Sequence, residues 1–164
     1  MLKAIARALD AAALAGTGTA GQPTGLVNVA GTHAQSGASL AWAGIQAQLQ
    51  ALTTAGCQDS SLAFVGAAGV RQMLAQRERA PGSGLLWDGR SIAGMPAVAD
   101  VACPSATLLV GDWSQLQIVL QPGIQIFVDP ITFATTGAVR LVALIDCAVQ
   151  ILQPSAFSKA TAVT

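Results

Sequence analysis

The chain has 164 residues, of which 52% are hydrophobic and 10% charged, and its eight basic and eight acidic side chains leave no net charge. A surface so poor in charge, against about 25% charged residues in typical domains, is typical of a protein that packs against neighbours. The basic residues stand singly among acidic ones, which argues against nucleic-acid binding. No stretch approaches the ~20 uninterrupted apolar residues of a membrane span. We therefore expect one medium-sized domain that associates with other protein copies.

Apolar residues at helical spacing predict three helices in the first half of the chain. The first should end at Gly16 and the second at Gly56, since glycine readily takes the C-terminal cap position, and Ser39 is the predicted N-cap of the second. Short apolar runs between the helices predict strands. The predicted helices cover residues 2–15, 40–54 and 67–76, and the predicted strands cover residues 26–29 and 62–65.

Residues 77–90 form a predicted loop rich in glycine, and we expect it to be the most mobile segment. Beyond it the pattern changes from helical to β. The turn at residues 121–123 predicts an antiparallel hairpin between the strands on either side of it, and the last strand is long for a globular domain. The predicted strands cover residues 97–99, 107–110, 116–120, 124–128 and 138–150. The predicted class is α+β, with a central sheet flanked by helices and a long C-terminal strand.

No catalytic, cofactor or metal site is predicted, and we expect the chain not to be an enzyme. Residues 16–21 match G-x-G-x-x-G, but a helix precedes them and Pro23 follows, which inverts the context of a dinucleotide site. The cysteines Cys57, Cys103 and Cys147 have neither zinc spacing nor a disulfide framework, so we expect reduced thiols. A small hydrolase remains an alternative, because folding could bring the single histidine, His33, beside a serine or cysteine.

Two acidic residues in the β-rich half have specific expected roles. Asp112 follows a strand and should hold a turn through hydrogen bonds from nearby backbone N–H groups. Trp113, next to it, should pack in the core or at a subunit contact. Asp146 interrupts an apolar strand, so its carboxylate should face solvent or pair across an interface.

Four segments in chain order resemble landmarks of the tailed-phage major capsid proteins with the Hong Kong 97 fold. A helix end followed by Pro-Thr-Gly-Leu resembles the passage from the family's long spine helix into its axial domain. Gly-Met-Pro-Ala-Val resembles its Gly-x-Pro-Val-Val strand. Leu-Val-Gly-Asp-Trp-Ser resembles its Leu-x-Gly-Asp-Phe/Trp-Ser segment, and Pro-Ser-Ala-Phe its Pro-x-Ala-Phe ending. The residues that carry the resemblance are Pro23, Gly25, Gly94, Pro96, Gly111, Asp112, Trp113, Ser114, Pro154 and Phe157.

The resemblance implies a structural subunit of a bacteriophage or prophage head, made in the host cytoplasm and located in the virion. Its partners would be copies of itself in rings of five and six, and no cofactor is implied. Residues 1–22 would be a spine-helix remnant and loop, residues 23–137 the axial domain, and residues 138–164 the long strand and tail of the peripheral domain. A nanocompartment shell protein with the same fold is the alternative.

Family members have an N-terminal arm, an extended loop and most of the spine helix before the point that matches Met1. The resemblance therefore implies an N-terminally truncated form. Because those segments join neighbouring rings, we expect this chain alone to form small rings or weak oligomers rather than closed shells.

Overall fold

The computed structural model describes residues 2–121 and 123–164, apart from the side chains of Leu2 and Ala134. Helix α1 spans Leu2–Ala15, α2 spans Trp42–Thr54 and α3 spans Ala68–Leu74. The strands are β1 His33–Ser36, β2 Leu62–Gly66, β3 Trp87–Asp88, β4 Ser91–Ile92, β5 Met95–Ala99, β6 Leu108–Asp112, β7 Leu116–Leu120, β8 Gln125–Asp129, β9 Arg140–Leu144, β10 Cys147–Ile151 and β11 Phe157–Thr161. The predicted α+β class is confirmed.

The main sheet has seven strands in the order β1-β11-β6-β2-β5-β4-β3. Parallel pairs join β1 to β11 and β2 to β5, and antiparallel pairs join the rest. Helices α2 and α3 cover one face through a buried cluster that includes Ile45, Val70 and Phe64. Leu14 of α1 packs in a second cluster with Leu109 and Phe157 on the other face. The sheet is thus a middle layer between helices, as the sequence predicted.

In the first half the three helices and the strand at residues 62–65 are confirmed, whereas the segment between α1 and α2 differs from the prediction. Helix α1 has the predicted bounds, whereas α2 begins after Ala41, so the predicted Ser39 N-cap is wrong; Ser39 has φ 51° and lies in a turn. Residues 26–28 form a 3-10 turn rather than a strand, because Leu26 is buried beneath the end of α1. Strand β1 was not predicted, since its His-Ala-Gln-Ser sequence has little β propensity and depends on pairing with the distant β11.

The predicted hairpin between residues 116–120 and 124–128 is wrong. Strand β7 pairs with β10, from Leu120 opposite Cys147 to Leu116 opposite Ile151, and β8 pairs with β9, from Gln125 opposite Leu144 to Asp129 opposite Arg140. The two pairs follow each other along one β-ribbon, whose tip lies at residues 130–139. Pro122, in the predicted turn, lies outside the described residues. A Pro-Gly pair was thus mistaken for a reversal of the chain.

The predicted single strand over residues 138–150 is interrupted after Leu144, and Asp146 is exposed at the break. The backbone N–H of Gln121 donates to the carbonyl oxygen of Asp146 at 3.0 Å, so the two strand pairs stay connected there. We call β7–β10 the inner half of the ribbon and β8–β9 its outer half.

Residues 77–90 are more structured than the sequence predicted. The N–H of Arg79 donates to Gly84 O at 2.8 Å, and the Arg77 guanidinium donates to Leu40 O at 2.9 Å. The Arg79 guanidinium also lies 5.1 Å from the Trp42 ring centroid. These contacts tie the segment to the start of α2, and its greater mobility stays a prediction.

Candidate assembly surface

The residues that carry the family resemblance lie in three places, of which the first is the end of α1. Gly25 approaches the helix so closely that a Cβ atom there would meet the backbone nitrogen of Ala15 at 2.6 Å. The Gly25 N–H donates to Gly16 O at 2.8 Å, and the Asn28 amide donates to the same oxygen at 2.8 Å. The carbonyl of Pro23 accepts from Gly18 N at 3.3 Å. This segment therefore caps the helix and directs the chain into the sheet.

The second place is the tight turn between β4 and β5. Ala93 and Gly94 both have positive φ, 54° and 81°, and join Ile92 to its register partner Met95. A two-residue turn with positive φ at both positions is the type that connects antiparallel strands best, and glycine has no steric penalty there. Pro96 is exposed one residue further along β5. Pro96 is the register partner of Ser91 in this strand pair.

The third place joins β6 to β11. Gly111 is the register partner of Phe157, and a Cβ atom at Gly111 would overlap the Phe157 ring. The Asp112 carboxylate accepts from the Ser114 N–H at 3.0 Å and its hydroxyl at 2.8 Å, which confirms the predicted turn. Trp113 packs edge-to-face on Phe157 with 5.7 Å between ring centroids, and its Nε1 donates to Ala63 O at 2.9 Å.

The third place also includes the segment that precedes β11. Pro154 opens a 3-10 turn and leads into the buried Ala156 and Phe157. Two segments separated by some 40 residues in the sequence therefore form one packing unit around the Phe157 ring. Backbone shape accounts for Gly25, Gly94 and Gly111, and packing accounts for Trp113 and Phe157.

Among the described residues, no hydrogen bond joins His33 Nε2 to a serine or cysteine side chain. His33 Nε2 is buried and has no hydrogen-bond partner among the described residues. His33 and Ser155 line one surface groove. The Ser155 hydroxyl accepts a hydrogen bond from the Gln153 amide at 3.3 Å. Burial and the nearby Asp100 charge raise the pKa of Cys103 to about 11, so its thiol is neutral at physiological pH.

The described residues contain no cluster of His, Cys, Asp or Glu side chains suited to a metal ion. Within residues 2–121 and 123–164, no helix has the length and apolarity to cross a membrane.

The prominent surface feature is the ribbon. Of the sixteen large hydrophobic side chains that are exposed in the described part of the chain, thirteen lie between Ile118 and Leu152. Neither half of the ribbon pairs with a third strand among the described residues. Soluble monomers rarely leave a contiguous apolar patch of more than a few hundred Å² exposed, and such patches mark interaction sites.

Hydrogen bonds to one carboxylate hold the turn at the ribbon tip. The Asp129 carboxylate accepts from the Ile131 N–H at 2.9 Å and from the Thr132 N–H and hydroxyl. These hydrogen bonds, chiefly that of the Thr132 hydroxyl, lower the pKa of Asp129, with a smaller contribution from the Arg140 charge. The tip turn is therefore held by an ionised carboxylate at neutral pH.

This exposed apolar surface was not predicted from the sequence. Ile126-Phe127-Val128 looks like a buried strand, because a continuous apolar run is typical of strands covered on both faces. The signal in the sequence was that apolar residues follow one another without polar residues between them. These residues are exposed because a two-stranded ribbon leaves both of its faces open.

The fold is shared with solved structures from phage and GTA particles. The capsid of a native GTA particle matches with a TM-score of 0.69 and 20% identity over 98% of this chain and 63% of that one. A structure from Gordonia phage Cozz matches with a TM-score of 0.67 and 20% identity over 98% and 60%. The cyanophage A-1(L) capsid matches with a TM-score of 0.63 and 16% identity over 99% and 68%. At these identities the likeness shows a shared fold.

The chain belongs to the phage capsid family, whose model matches residues 1–162. The resemblance drawn from the sequence is thereby confirmed. A search among curated proteins found no significant match. The chain spans 63% of the length of the GTA capsid protein and 60% of the length of the protein from Gordonia phage Cozz.

Proposed function

We propose that this chain is a structural subunit that tiles the shell of a bacteriophage or prophage head by binding copies of itself. The observation that carries the proposal is the apolar ribbon, which has the composition of a buried interface and is open to solvent in the isolated chain. Family membership and a fold shared with assembled capsids support the same function. The virion is then its place of action and the host cytoplasm its place of synthesis.

The proposal includes rings of five and six subunits. The GTA capsid was computed with five-fold symmetry, which supports ring formation in a protein of this fold. In this arrangement the main sheet forms the axial domain and the ribbon belongs to the peripheral one.

The strand pairings favour domain boundaries other than those expected from the sequence. Residues 116–151 form one ribbon, although the expected boundary at residue 138 divides it. Residues 157–161 pair with β6 in the main sheet, which supports assigning the C-terminal tail to the axial domain. We propose the ribbon, rather than the C-terminal tail, as the peripheral part.

We also propose that the chain has no catalytic activity. In the part of the chain that the structure describes, His33 Nε2 has no hydrogen-bond partner, and burial raises the pKa of Cys103 to about 11. Treatment with a fluorophosphonate and with a thiol-directed probe should give no labelling that depends on His33. If the parent chain is labelled and the His33→Ala variant is not, the result would instead support the hydrolase alternative.

Self-association is the direct test. Sedimentation velocity of the purified chain over a range of concentrations should show oligomers that grow with concentration. A Phe127→Glu/Leu141→Glu double variant should stay monomeric, because both side chains are exposed and apolar in the ribbon. The matched control is Val101→Glu, which places the same charge on a valine that is 84% exposed outside the ribbon and should associate normally. A parent chain that stays monomeric at every concentration would contradict the proposal.

A further inference from the structure

Four buried polar atoms without a hydrogen-bond partner belong to just three side chains. In the described part of the chain there are five such side-chain atoms, and four of them are on His33, Gln48 and Ser158. These four are the imidazole Nε2, both polar atoms of the amide and the hydroxyl oxygen. The fifth, Trp87 Nε1, lies on β3 at the far edge of the main sheet. Because the large majority of buried polar side-chain atoms have a partner, the first three side chains require one of another kind.

The strand register places two of these side chains next to each other. His33 lies on the edge strand β1 and is the register partner of Ser158 on β11. Register partners share a face of the sheet, and side chains alternate between the faces along each strand. Ala160, two residues after Ser158, belongs to the cluster that α2 covers, whereas Phe157 belongs to the cluster on the opposite face. The imidazole and the hydroxyl are therefore neighbours on the face that α2 covers.

The packing of α2 places Gln48 over this pair. A Cβ atom at Gly44 would lie 3.8 Å from the amide nitrogen of Gln35, which is on the same face of β1 as His33. His33 itself lines a surface groove with residues of α2 that follow Gly44. The helix therefore runs opposite to β1. Gln48, one turn after Gly44 and only 1% exposed, lies above the two strand residues.

The site offers hydrogen bonds and no opposite charge. Helix α2 and strand β1 contain no charged residue. Lys159, the charged residue of β11, points to the other face, where its ammonium group donates to Val27 O at 2.7 Å. An amide and a hydroxyl each offer a donor and an acceptor, so their common partner must donate as well as accept. Water does both, and the described residues bring together no cluster of His, Cys, Asp or Glu that would suit a metal ion instead.

We infer that His33, Gln48 and Ser158 together bind ordered water between α2 and the edge of the main sheet. A buried water molecule typically makes about three hydrogen bonds to polar groups that have no other partner, and three such side chains meet here. The groove that His33 lines, about 520 Å³ in volume, gives this water a route to solvent. The inference does not rest on the proposed function.

The position of the site gives the water a structural role. Among the described residues, β1 has β11 as its only neighbour in the sheet. The three side chains come from β1, α2 and β11, so water that bonds to all of them joins the edge strand to the helix that covers it.

A crystal structure at a resolution that shows ordered water tests the inference directly. We expect electron density within hydrogen-bond distance, roughly 2.7–3.2 Å, of His33 Nε2, the Gln48 amide and Ser158 Oγ. Direct hydrogen bonds among the three side chains, with no water between them, would overturn the inference. Water bound to only one or two of them would overturn it as well.

In solution, the deuterium relaxation dispersion of water counts the water molecules that stay inside a protein. Gln48→Met keeps the length of the side chain and removes both polar atoms of the amide, so this variant should lose the contribution of at least one such molecule. The matched control is Gln46→Met, the same change at an exposed residue of α2, which should leave the signal unchanged. Equal signals from the parent and from Gln48→Met would overturn the inference.

A second variant separates a loss of water from a loss of folding. Circular dichroism establishes whether Gln48→Met is folded. Ser158→Ala removes only a hydroxyl on β11 and should lose the same contribution whether or not Gln48→Met folds. A folded Ser158→Ala with the signal of the parent would contradict the inference.

Discussion

Gly111 shows how a single backbone position connects two distant segments. The Phe157 ring occupies the space that a side chain at position 111 would need. Gly111→Ala should therefore lower the free energy of unfolding by about 1–3 kcal/mol, the usual cost of overpacking a core. Urea denaturation would measure it.

The matched control for this prediction is Gly69→Ala on α3. No atom lies within 4 Å of a Cβ built there, and the residue is exposed in a helix. This change should be neutral or stabilising by up to about 1 kcal/mol, since alanine is the better helix former. Equal losses in both variants would show that the Phe157 contact is not the cause.

Trp113 contributes both packing and one hydrogen bond. Its ring is half-buried against Phe157, so Trp113→Ala should cost about 2–3 kcal/mol, less than the 3–5 kcal/mol of a fully buried aromatic residue. Trp113→Phe keeps most of the ring contact and removes the bond to Ala63 O, so it should cost about 1 kcal/mol. Thermal melts that show Trp113→Ala as stable as the parent would argue for an exposed contact role.

Cys103 should be the least reactive of the three thiols. Burial, and secondarily the Asp100 charge, raise its pKa from about 9 to about 11, and the thiolate is the form that reacts. At pH 9, iodoacetamide should therefore label it more slowly than Cys147, as resolved by peptide mass spectrometry.

The same pKa shift has a consequence for stability. The folded state holds the Cys103 proton more tightly than the unfolded state, so this group's contribution to stability should be lost as the pH rises from about 9 to about 11.

The labelling experiment has its own control. In urea all three cysteines should react with iodoacetamide at similar rates, and preferential labelling of Cys103 in the native protein would contradict its burial.

At the scale of elements, the ribbon and the main sheet differ in what supports them. Strand β6 has a hydrogen-bonded neighbour on each side and buried residues on both faces, whereas β8 and β9 pair only with each other among the described residues. Backbone amides of β8 and β9 should thus exchange with solvent much faster than those of β6. Hydrogen exchange with mass spectrometry would measure the difference.

The exchange experiment also reports on assembly. Amides of the outer half should become protected as the chain associates, while those of β6 should change little because they are already buried. Protection that does not depend on concentration would mean that the ribbon is stable without a partner.

At the scale of the whole molecule, association should depend on apolar contact rather than on charge. The chain has no net charge, and the outer half carries only Asp129 and Arg140, which face each other across the strands. Raising NaCl from 50 to 500 mM should therefore change the association constant by less than about threefold, because salt screens charges and leaves apolar burial intact. A steep loss of association in salt would point to charged contacts elsewhere.

Local signals in the sequence were sufficient for α1, β2, β7 and the Asp112 turn, since each depends on periodicity or on hydrogen bonds within a few residues. The Gly-Asp-Trp-Ser and Pro-Ser-Ala-Phe segments were also enough to indicate the family. The match of residues 1–162 to the phage capsid family model confirmed that family, and the structure added that both segments meet at Phe157.

Strand pairing was decided by tertiary structure alone. A Pro-Gly pair after Leu120 looks like a reversal, yet the chain continues forward and β7 pairs with β10, because the apolar residues of both strands then share the face that α1 covers. Likewise β1 exists only through β11, some 120 residues away. Hydrophobic runs in the sequence determine which residues avoid water. The surface that covers them can be α1, the main sheet or another copy, and it is determined by contacts between residues that are distant in the sequence.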